Sequence, residues 1–453
     1  MIKAIAQKLN GFFINGHERT LKAKKNVFLS LILKGITIAI SLVMIPLTIS
    51  YVNATQYGIW LTLSSIVGWF NFFDIGLGHG LKNKLAEANA LGNIVNSRTY
   101  ISTTYVIITI IVSVVFVLFF IANFFIDWGK VLNSAIVPPT ELNTIVIIIF
   151  ASFCVQLILQ ILSSVLTALH AIAKISVINA IGQLGCLISI YILTKRTEGS
   201  LLNLVMALTL IPIVVQVIAT IYYFNVRYVE LKPSLKLVDF KFAKSLLSLG
   251  GAFFFVQIGG LLLFQTDNIV VTQLFGPHEV TIFNISYKLF SIINLIFTII
   301  MNPFWPAFTD AYAKNDTDWI KSVFKKMYKY FFGLSIIAFI LLLVSPFVFK
   351  IWLGKNIAVP FPLSLTMTVY VICICWMTIP CFLVNGIGKI RLQIYLYIIS
   401  SAINIPLAIL WGKWFGLIGV TISNILVLIM MSIVLSIQCK KILNNNAYGI
   451  WDM

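Results

Sequence analysis

Long uninterrupted runs of apolar residues are the feature that most restricts how this chain can fold. A helix needs about 20 mostly apolar residues to cross the hydrocarbon core of a bilayer. Because 60% of the residues are hydrophobic and only 10% are charged, a soluble domain is excluded. We therefore predict an all-α polytopic membrane protein with about 12 transmembrane helices. The twelve runs are 27–50, 57–79, 99–125, 142–167, 173–194, 201–225, 245–266, 279–302, 326–349, 362–386, 392–411 and 416–438.

The basic residues predict the orientation of these spans. Short cytoplasmic loops of membrane proteins are enriched in Lys and Arg. With a cytoplasmic N-terminus, 24 of the 32 basic residues fall in cytoplasmic segments and six fall outside. The first 25 residues carry six basic residues and no apolar core, so they indicate a retained cytoplasmic segment rather than a signal peptide. Both termini are predicted to be cytoplasmic. The net charge of +18 is then a topology signal plus attraction to anionic lipid headgroups, and not a sign of nucleic-acid binding.

The longest cytoplasmic loop divides the chain into two halves of six spans. We expect a basic segment at 1–25, an N-terminal lobe at 26–225, a linker at 226–244, a C-terminal lobe at 245–440 and a tail at 441–453. A short repeat supports the division, because VNATQYGIW at 52–60 resembles FGPHEVTIF at 275–283, at an offset of 223 residues. An even number of spans in each half makes such a repeat parallel. Transporters built this way bind substrate between their halves.

Two lysines lie inside apolar runs, Lys34 in the first and Lys288 in the eighth. A charge within the hydrocarbon core costs a few kcal/mol, roughly 2.5–3.5, so it usually faces a polar interior. Both are predicted at mid-depth, one in each half, where an ammonium group could bind phosphate oxygens. Snorkelling to an interface and a structural ion pair are the alternatives.

Few other ionisable residues lie within the runs. Asp74 and Asp267 could each pair with a lysine, carry a proton or lie in the headgroup region. The six cysteines show no metal-ligand spacing, so no metal site and no cofactor is expected.

Polar amides and glycine pairs complete the set of candidate residues. Asn284 and Gln257 are candidates for contacting sugar hydroxyls, with interhelical hydrogen bonding as the alternative. Gly259 and Gly260 in the seventh run are candidate hinge residues, with close helix packing as the alternative.

Two segments resemble a known family. The runs TQYGIWLTLSSIVGWFNFFDIGLGHGLKNKLAEA at 55–88 and QTDNIVVTQLFGPHEVTIFNISYKLF at 265–290 are similar to those of Wzx-type flippases. These belong to the multidrug, oligosaccharidyl-lipid and polysaccharide exporter superfamily. The resemblance implies a MATE-like fold, with two six-helix lobes around a central cavity. Asp267 matches the aspartate of the family-like TDNIVV segment.

The resemblance also implies a function. A Wzx-type protein flips an undecaprenyl-pyrophosphate-linked oligosaccharide from the inner to the outer leaflet of the bacterial inner membrane, for O-antigen or capsule-type polysaccharide. The implied partners are that lipid-linked sugar, membrane lipids and the polysaccharide polymerase machinery, and nucleic acid is not among them. The coupling ion, proton or sodium, stays open.

Three other functions compete with flipping. A cation-coupled drug exporter of the same superfamily would be expected to carry a carboxylate in its N-terminal lobe, whereas the first span offers Lys34 and no acid. A sugar polymerase or glycosyltransferase would need a long outer catalytic loop, but the longest outer segment, 126–141, is short. A structural scaffold would gain nothing from buried lysines. A transporter rather than an enzyme is therefore the prediction.

Overall fold

Apolar helices dominate the structure, a computed structural model that describes residues 18–69, 77–134, 136–169, 171–243, 266–302, 304–354 and 357–452. Within these ranges the chain has no β-strand. The helices are α1 Glu18–Val52, α2 Ala54–Gly68, α3 Leu77–Ala90, α4 Ile94–Asn123, α5 Trp128–Val131, α6 Pro139–Leu159, α7 Ile161–Ala168, α8 Ile172–Arg196, α9 Leu201–Tyr222, α10 Asp267–Phe275, α11 Pro277–Met301, α12 Phe304–Ala313, α13 Thr317–Leu353, α14 Phe361–Ile387, α15 Arg391–Phe415 and α16 Leu417–Leu443. The all-α polytopic fold is confirmed.

Ten helical segments of the described chain are long and apolar enough to cross a membrane. Each overlaps one of the predicted runs. The other two predicted spans, 57–79 and 245–266, pass through residues 70–76 and 244–265, which lie outside the description. The total of about 12 therefore stays a prediction.

Local sequence signals set several helix ends. Asn93 caps α4 by accepting a hydrogen bond from the backbone N–H of Asn96, and Asp316 caps α13 in the same way. Pro139 and Pro277 stand in the first turns of α6 and α11, where a missing N–H costs nothing. Gly388 ends α14 in the left-handed conformation.

Helix α13 starts well before the apolar run at 326–349. Its first turns bury Ile320, Val323 and Met327, which are spaced by three and four residues. Lysines occupy other positions of the same stretch, so one helix face is apolar and the rest is polar. The structure therefore extends this span as an amphipathic helix into the segment that was predicted to be a loop.

The described residues group into two compact units. One unit is formed within Met1–Asn53, Phe70–Trp128 and Ile136–Phe254, and the other within Ala54–Trp69, Gly129–Ala135 and Phe255–Met453. In the first unit α1 packs on α8, α8 on α9, and α9 on α6. In the second unit α16 packs on α14 and α15, and α2 packs on α11. Helix α2 of the N-terminal half thus belongs to the unit that holds the C-terminal helices.

The predicted linker lies along α4 of the first unit. The Arg98 Nε donates to the carbonyl of Lys232 at 2.6 Å, and the backbone N–H of Ser234 donates to the Ser102 hydroxyl at 2.9 Å. The Phe242 ring meets the Tyr100 ring edge-on, with centroids 4.8 Å apart. The assignment of 226–244 as the boundary between two lobes stays a prediction.

Candidate functional site

A buried carboxylate lies at the start of α10 in the second unit. The side chain of Asp267 is 5% exposed. Its Oδ2 accepts a hydrogen bond from the Asn424 amide of α16 at 2.8 Å, and the Oδ1 of Asn424 accepts one from the Asn404 amide of α15 at 2.7 Å. Three helices therefore converge on this chain of side chains, which we call the Asp267 chain.

The Asp267 chain has unused oxygen acceptors. The Oδ1 of Asp267 and the Oδ1 of Asn404 are both buried without a hydrogen-bond partner. Within the described ranges no cation forms an ion pair with Asp267. Buried polar atoms without a partner are costly, and oxygen atoms of this kind suit a proton or a hard cation. No group of three metal-ligating side chains is found around it in the described part of the chain.

A second set of polar side chains joins α2 to α10 and α11. The Thr62 and Thr272 hydroxyls lie 2.6 Å apart. The Asn268 amide donates to the Ser65 hydroxyl at 2.6 Å, and its Oδ1 accepts from the Asn284 amide at 2.7 Å. We call these five residues the polar seam. All lie within one unit, and Thr62, Ser65 and Thr272 are buried.

Next to the polar seam, the backbones of α2 and α11 approach each other closely. A Cβ atom added to Gly58 would lie 1.7 Å from the carbonyl oxygen of Pro277, so only glycine fits there. The Thr281 hydroxyl donates to the carbonyl of Ala54 at 2.6 Å. Since 54 and 277, and 58 and 281, are both separated by 223 residues, the two contacts are equivalents under the sequence repeat.

The repeat also appears in the helix boundaries. Helix α1 ends at Val52 and α2 begins at Ala54, while α10 ends at Phe275 and α11 begins at Pro277. Between them stand Asn53 with φ +77° and Gly276 with φ +87°. Both turns use a positive φ, which Gly and Asn adopt more readily than other residues. The offset of 223 residues therefore relates helix ends and turns in the structure, as well as residues in the sequence.

The two predicted lysines lie in different units. Lys288 is half-buried on α11, about 16 Å along the helix from Pro277 at 1.5 Å per residue, and no described acid pairs with it. Lys34 is exposed on α1, about 27 Å along the helix from Val52 by the same rise. That distance is nearly the whole hydrocarbon thickness, so Lys34 lies closer to the end of the span opposite Val52 than the sequence suggested. The roles of both lysines stay predictions.

The remaining predicted site residues divide into two groups. Asn284 lies in the polar seam and also donates to the Val280 carbonyl of its own helix, so interhelical hydrogen bonding accounts for its side chain in this conformation. Asp74, Gln257, Gly259 and Gly260 lie outside the described residues.

Sequence reasoning missed most of the hydrogen-bond partners found here. Asn268 stands directly after Asp267 in the family-like segment, so its position was a usable signal. Asn424 lies 20 residues from Asn404 on the following helix, and this separation offered no local pattern that would single out Asn424. Thr62, Ser65 and Thr272 are small polar residues of a type common in membrane helices, so nothing singled them out.

The fold assigns the chain to a class of membrane protein. The chain is a polytopic helical membrane protein with a MATE-like fold. It aligns with a multidrug resistance MATE family transporter in its inward-facing conformation with a TM-score of 0.77, at 13% identity over 93% of this chain and 98% of the other. It aligns with the lipid II flippase MurJ, inward closed conformation, with a TM-score of 0.70, at 14% identity over 91% of this chain and 87% of that one.

The family follows from the sequence. Residues 23–312 match the family described as polysaccharide biosynthesis protein, and the chain belongs to it. A relative described as a putative O-antigen export protein of Yersinia pseudotuberculosis is 22% identical over 376 residues, which cover 79% of this chain and 81% of the relative. The predicted resemblance to Wzx-type flippases is thereby confirmed.

Proposed function

We propose that this protein flips an undecaprenyl-pyrophosphate-linked oligosaccharide from the inner to the outer leaflet of the bacterial inner membrane by alternating access. It is a transporter and not an enzyme. The family match and the relative described as an O-antigen export protein support the substrate class. The observation that carries the proposal is Lys288, a half-buried ammonium on α11 without a described acid partner.

The chemistry of the substrate fits that lysine. A pyrophosphate carries negative charge through an apolar layer only if fixed positive charge replaces its lost hydration. Ammonium groups form strong charge-assisted hydrogen bonds with phosphate oxygens. A lysine already paired with an acid would offer no net charge to the substrate, whereas Lys288 offers one positive charge. Lys34, near the proposed inner end of the apolar span Ile32–Val52 of α1, is proposed to attract the same headgroup before entry.

Reconstituted vesicles test the proposal. Purified protein in liposomes should move a labelled undecaprenyl-pyrophosphate-linked oligosaccharide to the outer leaflet, where an enzyme in the external medium can act on it. We expect Lys288→Ala to slow exposure at least tenfold and Lys288→Arg to retain part of it. Lys195→Ala is the matched control, because Lys195 is exposed at the end of α8. Wild-type protein that flips none of this lipid contradicts the proposal.

The Asp267 chain supplies a site for energy coupling. We propose that Asp267 takes up the coupling ion, proton or sodium, at its free Oδ1. Asp267→Asn keeps the size of the side chain and removes its negative charge. Transport driven by a pH or sodium gradient should lose its dependence on that gradient in this variant. Asp310→Asn is the control, because Asp310 is exposed on α12. A full response of the Asp267→Asn protein to both gradients would exclude Asp267 from coupling.

A cation-coupled drug exporter is the second candidate function, because the fold is also that of a multidrug transporter. The two functions differ in the sign of the substrate charge. Lys288→Ala should weaken transport of an anionic lipid and should not weaken efflux of a cationic dye. The opposite pattern would favour the exporter.

A further inference from the structure

The polar seam joins helices that come from different halves of the sequence. Helix α2 lies in the N-terminal half, and α10 and α11 lie in the C-terminal half, yet all three pack in one unit. A second link is made by the segment after α5. The Asn133 amide donates to the carbonyls of Thr272 and Gln273 at 3.3 Å each, and the Gln273 amide donates to the carbonyl of Val131 at 2.5 Å. Helix α10 is thus held from two sides by parts of the first half.

Hydrogen bonds make part of this junction. The hydroxyls of Thr62, Ser65 and Thr272 also donate to carbonyls of their own helices, and those bonds persist when the helices part. Parting takes away the Ser65 acceptor of the Asn268 amide and the contact between the two threonine hydroxyls, and a polar group that loses its partner in an apolar medium is costly. A sugar hydroxyl is both a donor and an acceptor, so it can replace either partner of a Ser, Thr or Asn contact. Parted helices would therefore bind a carbohydrate better than they would bind an acyl chain.

Two further donors lie next to the polar seam. Trp69 stands one helical turn beyond Ser65, and its indole N–H is buried without an acceptor. Lys288 stands one turn beyond Asn284 on α11. Both are donors, so they suit oxygen atoms of a ligand and do not satisfy each other.

We propose that the polar seam is a separable junction at which hydroxyl groups of the substrate sugar replace the hydrogen bonds between α2 and the pair α10 and α11. This inference rests on the flippase function proposed above. Separation would also open the close approach of Gly58 to the Pro277 carbonyl and break the hydrogen bond from Thr281 to the Ala54 carbonyl. Sugar binding would then favour the parted state, because only that state offers the hydrogen bonds.

A reversible cross-link tests whether the helices part. In protein with its six cysteines replaced by alanine, Thr62→Cys and Thr272→Cys place two thiols where the hydroxyls lie 2.6 Å apart. Oxidation should lower flipping at least tenfold, and reduction should restore it. If the reduced pair is already inactive, Ala54→Cys with Thr281→Cys replaces it at the neighbouring contact.

A matched cross-link within one half controls for oxidation itself. Native Cys186 on α8 donates its thiol to the Ala207 carbonyl of α9 at 3.6 Å, so Cys186 retained with Ala207→Cys joins two neighbouring helices of the first unit. Oxidation of this pair should leave flipping unchanged. Complete cross-linking of the Thr62 and Thr272 positions with undiminished flipping would overturn the proposal.

The role of the sugar has its own measurement. The rate of disulfide formation between positions 62 and 272 is followed with undecaprenyl-pyrophosphate-linked oligosaccharide and with undecaprenyl pyrophosphate that carries no sugar. We expect the first lipid to slow the reaction at least threefold and the second to leave it unchanged. Equal effects of the two lipids, or no effect of either, would overturn the proposal that sugar hydroxyls replace the hydrogen bonds between the helices. Wild-type protein that flips nothing rejects the proposed function, whereas flipping that persists in cross-linked protein rejects the junction alone.

Discussion

Helices α1 and α2 of the first half and helices α10 and α11 of the second half occupy equivalent places in the repeat, yet they carry different chemistry. Asp267, Asn268 and Thr272 of α10 correspond to Met44, Ile45 and Ile49 of α1 at the offset of 223 residues. Lys288 of α11 corresponds to Ser65 of α2. The same helix ends are thus built twice, and at these four pairs of equivalent positions only the second copy carries a charged side chain.

The two copies therefore differ in the chemistry of their contacts. The second copy holds Asp267 and Lys288, the groups proposed to bind a coupling ion and a transported anion. The first copy offers glycine and hydroxyl side chains, which allow close approach and form uncharged hydrogen bonds. Substitutions at equivalent positions of the two copies test this difference.

Alanine at the two equivalent contact positions should give the largest difference. Gly58→Ala places a Cβ against the Pro277 carbonyl, which is backbone and cannot move alone. Thr281→Ala removes only one hydrogen bond, which is typically worth about 0.5–1.5 kcal/mol. We expect Gly58→Ala to lower flipping at least tenfold and Thr281→Ala less than threefold, measured in the vesicle assay. Equal effects would mean that the close approach at Gly58 is not needed.

An exchange of Ser65 and Lys288 asks whether the two copies are interchangeable. Ser65→Lys with Lys288→Ser keeps the composition but moves the ammonium to α2 and breaks the Ser65 contact with Asn268. We expect this double variant to flip as poorly as Lys288→Ser alone, because the charge is no longer on the helix beside the Asp267 chain. Recovery to wild-type rates would show that only the depth of the charge matters.

The two positive-φ turns should respond differently to substitution. Gly276 has ψ 169°, a conformation that is essentially restricted to glycine, so Gly276→Ala should cost about 1–3 kcal/mol of folding stability. Asn53→Gly should change stability by a few tenths of a kcal/mol, about 0.3, because glycine adopts positive φ freely. Thermal unfolding of the purified protein in detergent measures both. A larger loss for Asn53→Gly would contradict the conformational argument.

A small effect is expected far from the repeat, where the segment Gly449–Asp452 meets the turn between α14 and α15. Lys389 forms an ion pair with Asp452 and lies over the Tyr312 ring. Burial opposes the charge of Lys389, but its hydrogen bonds with Asp452 and Tyr312 outweigh that effect and raise its pKa above the usual 10.5.

A pH series checks the sign of this contribution. A raised pKa stabilises the folded protein fully below the ordinary lysine pKa, and the stabilisation disappears as pH rises through the raised value. Lys389→Gln should therefore lower stability by no more than about 1 kcal/mol at neutral pH, and the difference from wild type should vanish at strongly alkaline pH. A difference that grows with pH would contradict the assignment.

Sequence reasoning recovered the fold because hydrophobic length is a local property. Ten of the twelve runs correspond to helices of the described chain, and the short repeat at 52–60 and 275–283 marks real helix boundaries. The start of α13 was missed because its first turns are amphipathic, and a search for continuous apolar residues does not detect such turns.

The site was recovered only in part, because its contacts are long-range. Asp267 and Lys288 stood out as charges among apolar residues. Their surroundings did not, since Asn424 lies 157 residues from Asp267 and Ser65 lies 203 residues from Asn268. No local pattern encodes such pairs. The assignment of α2 to the same unit as α10 and α11 likewise depends on tertiary packing that hydropathy does not report.

The depth of Lys288 has an electrical consequence. A unit charge that crosses a membrane potential of 100 mV gains or loses about 2.3 kcal/mol, and a charge at half depth experiences about half of that. A pyrophosphate that leaves an electrically negative interior, as in the proposed function, releases work, whereas an ammonium that stays at one depth on α11 adds nothing to the charge that crosses. Flipping should therefore depend on voltage, and replacing Lys288 with a neutral residue should lower the rate and leave that dependence unchanged.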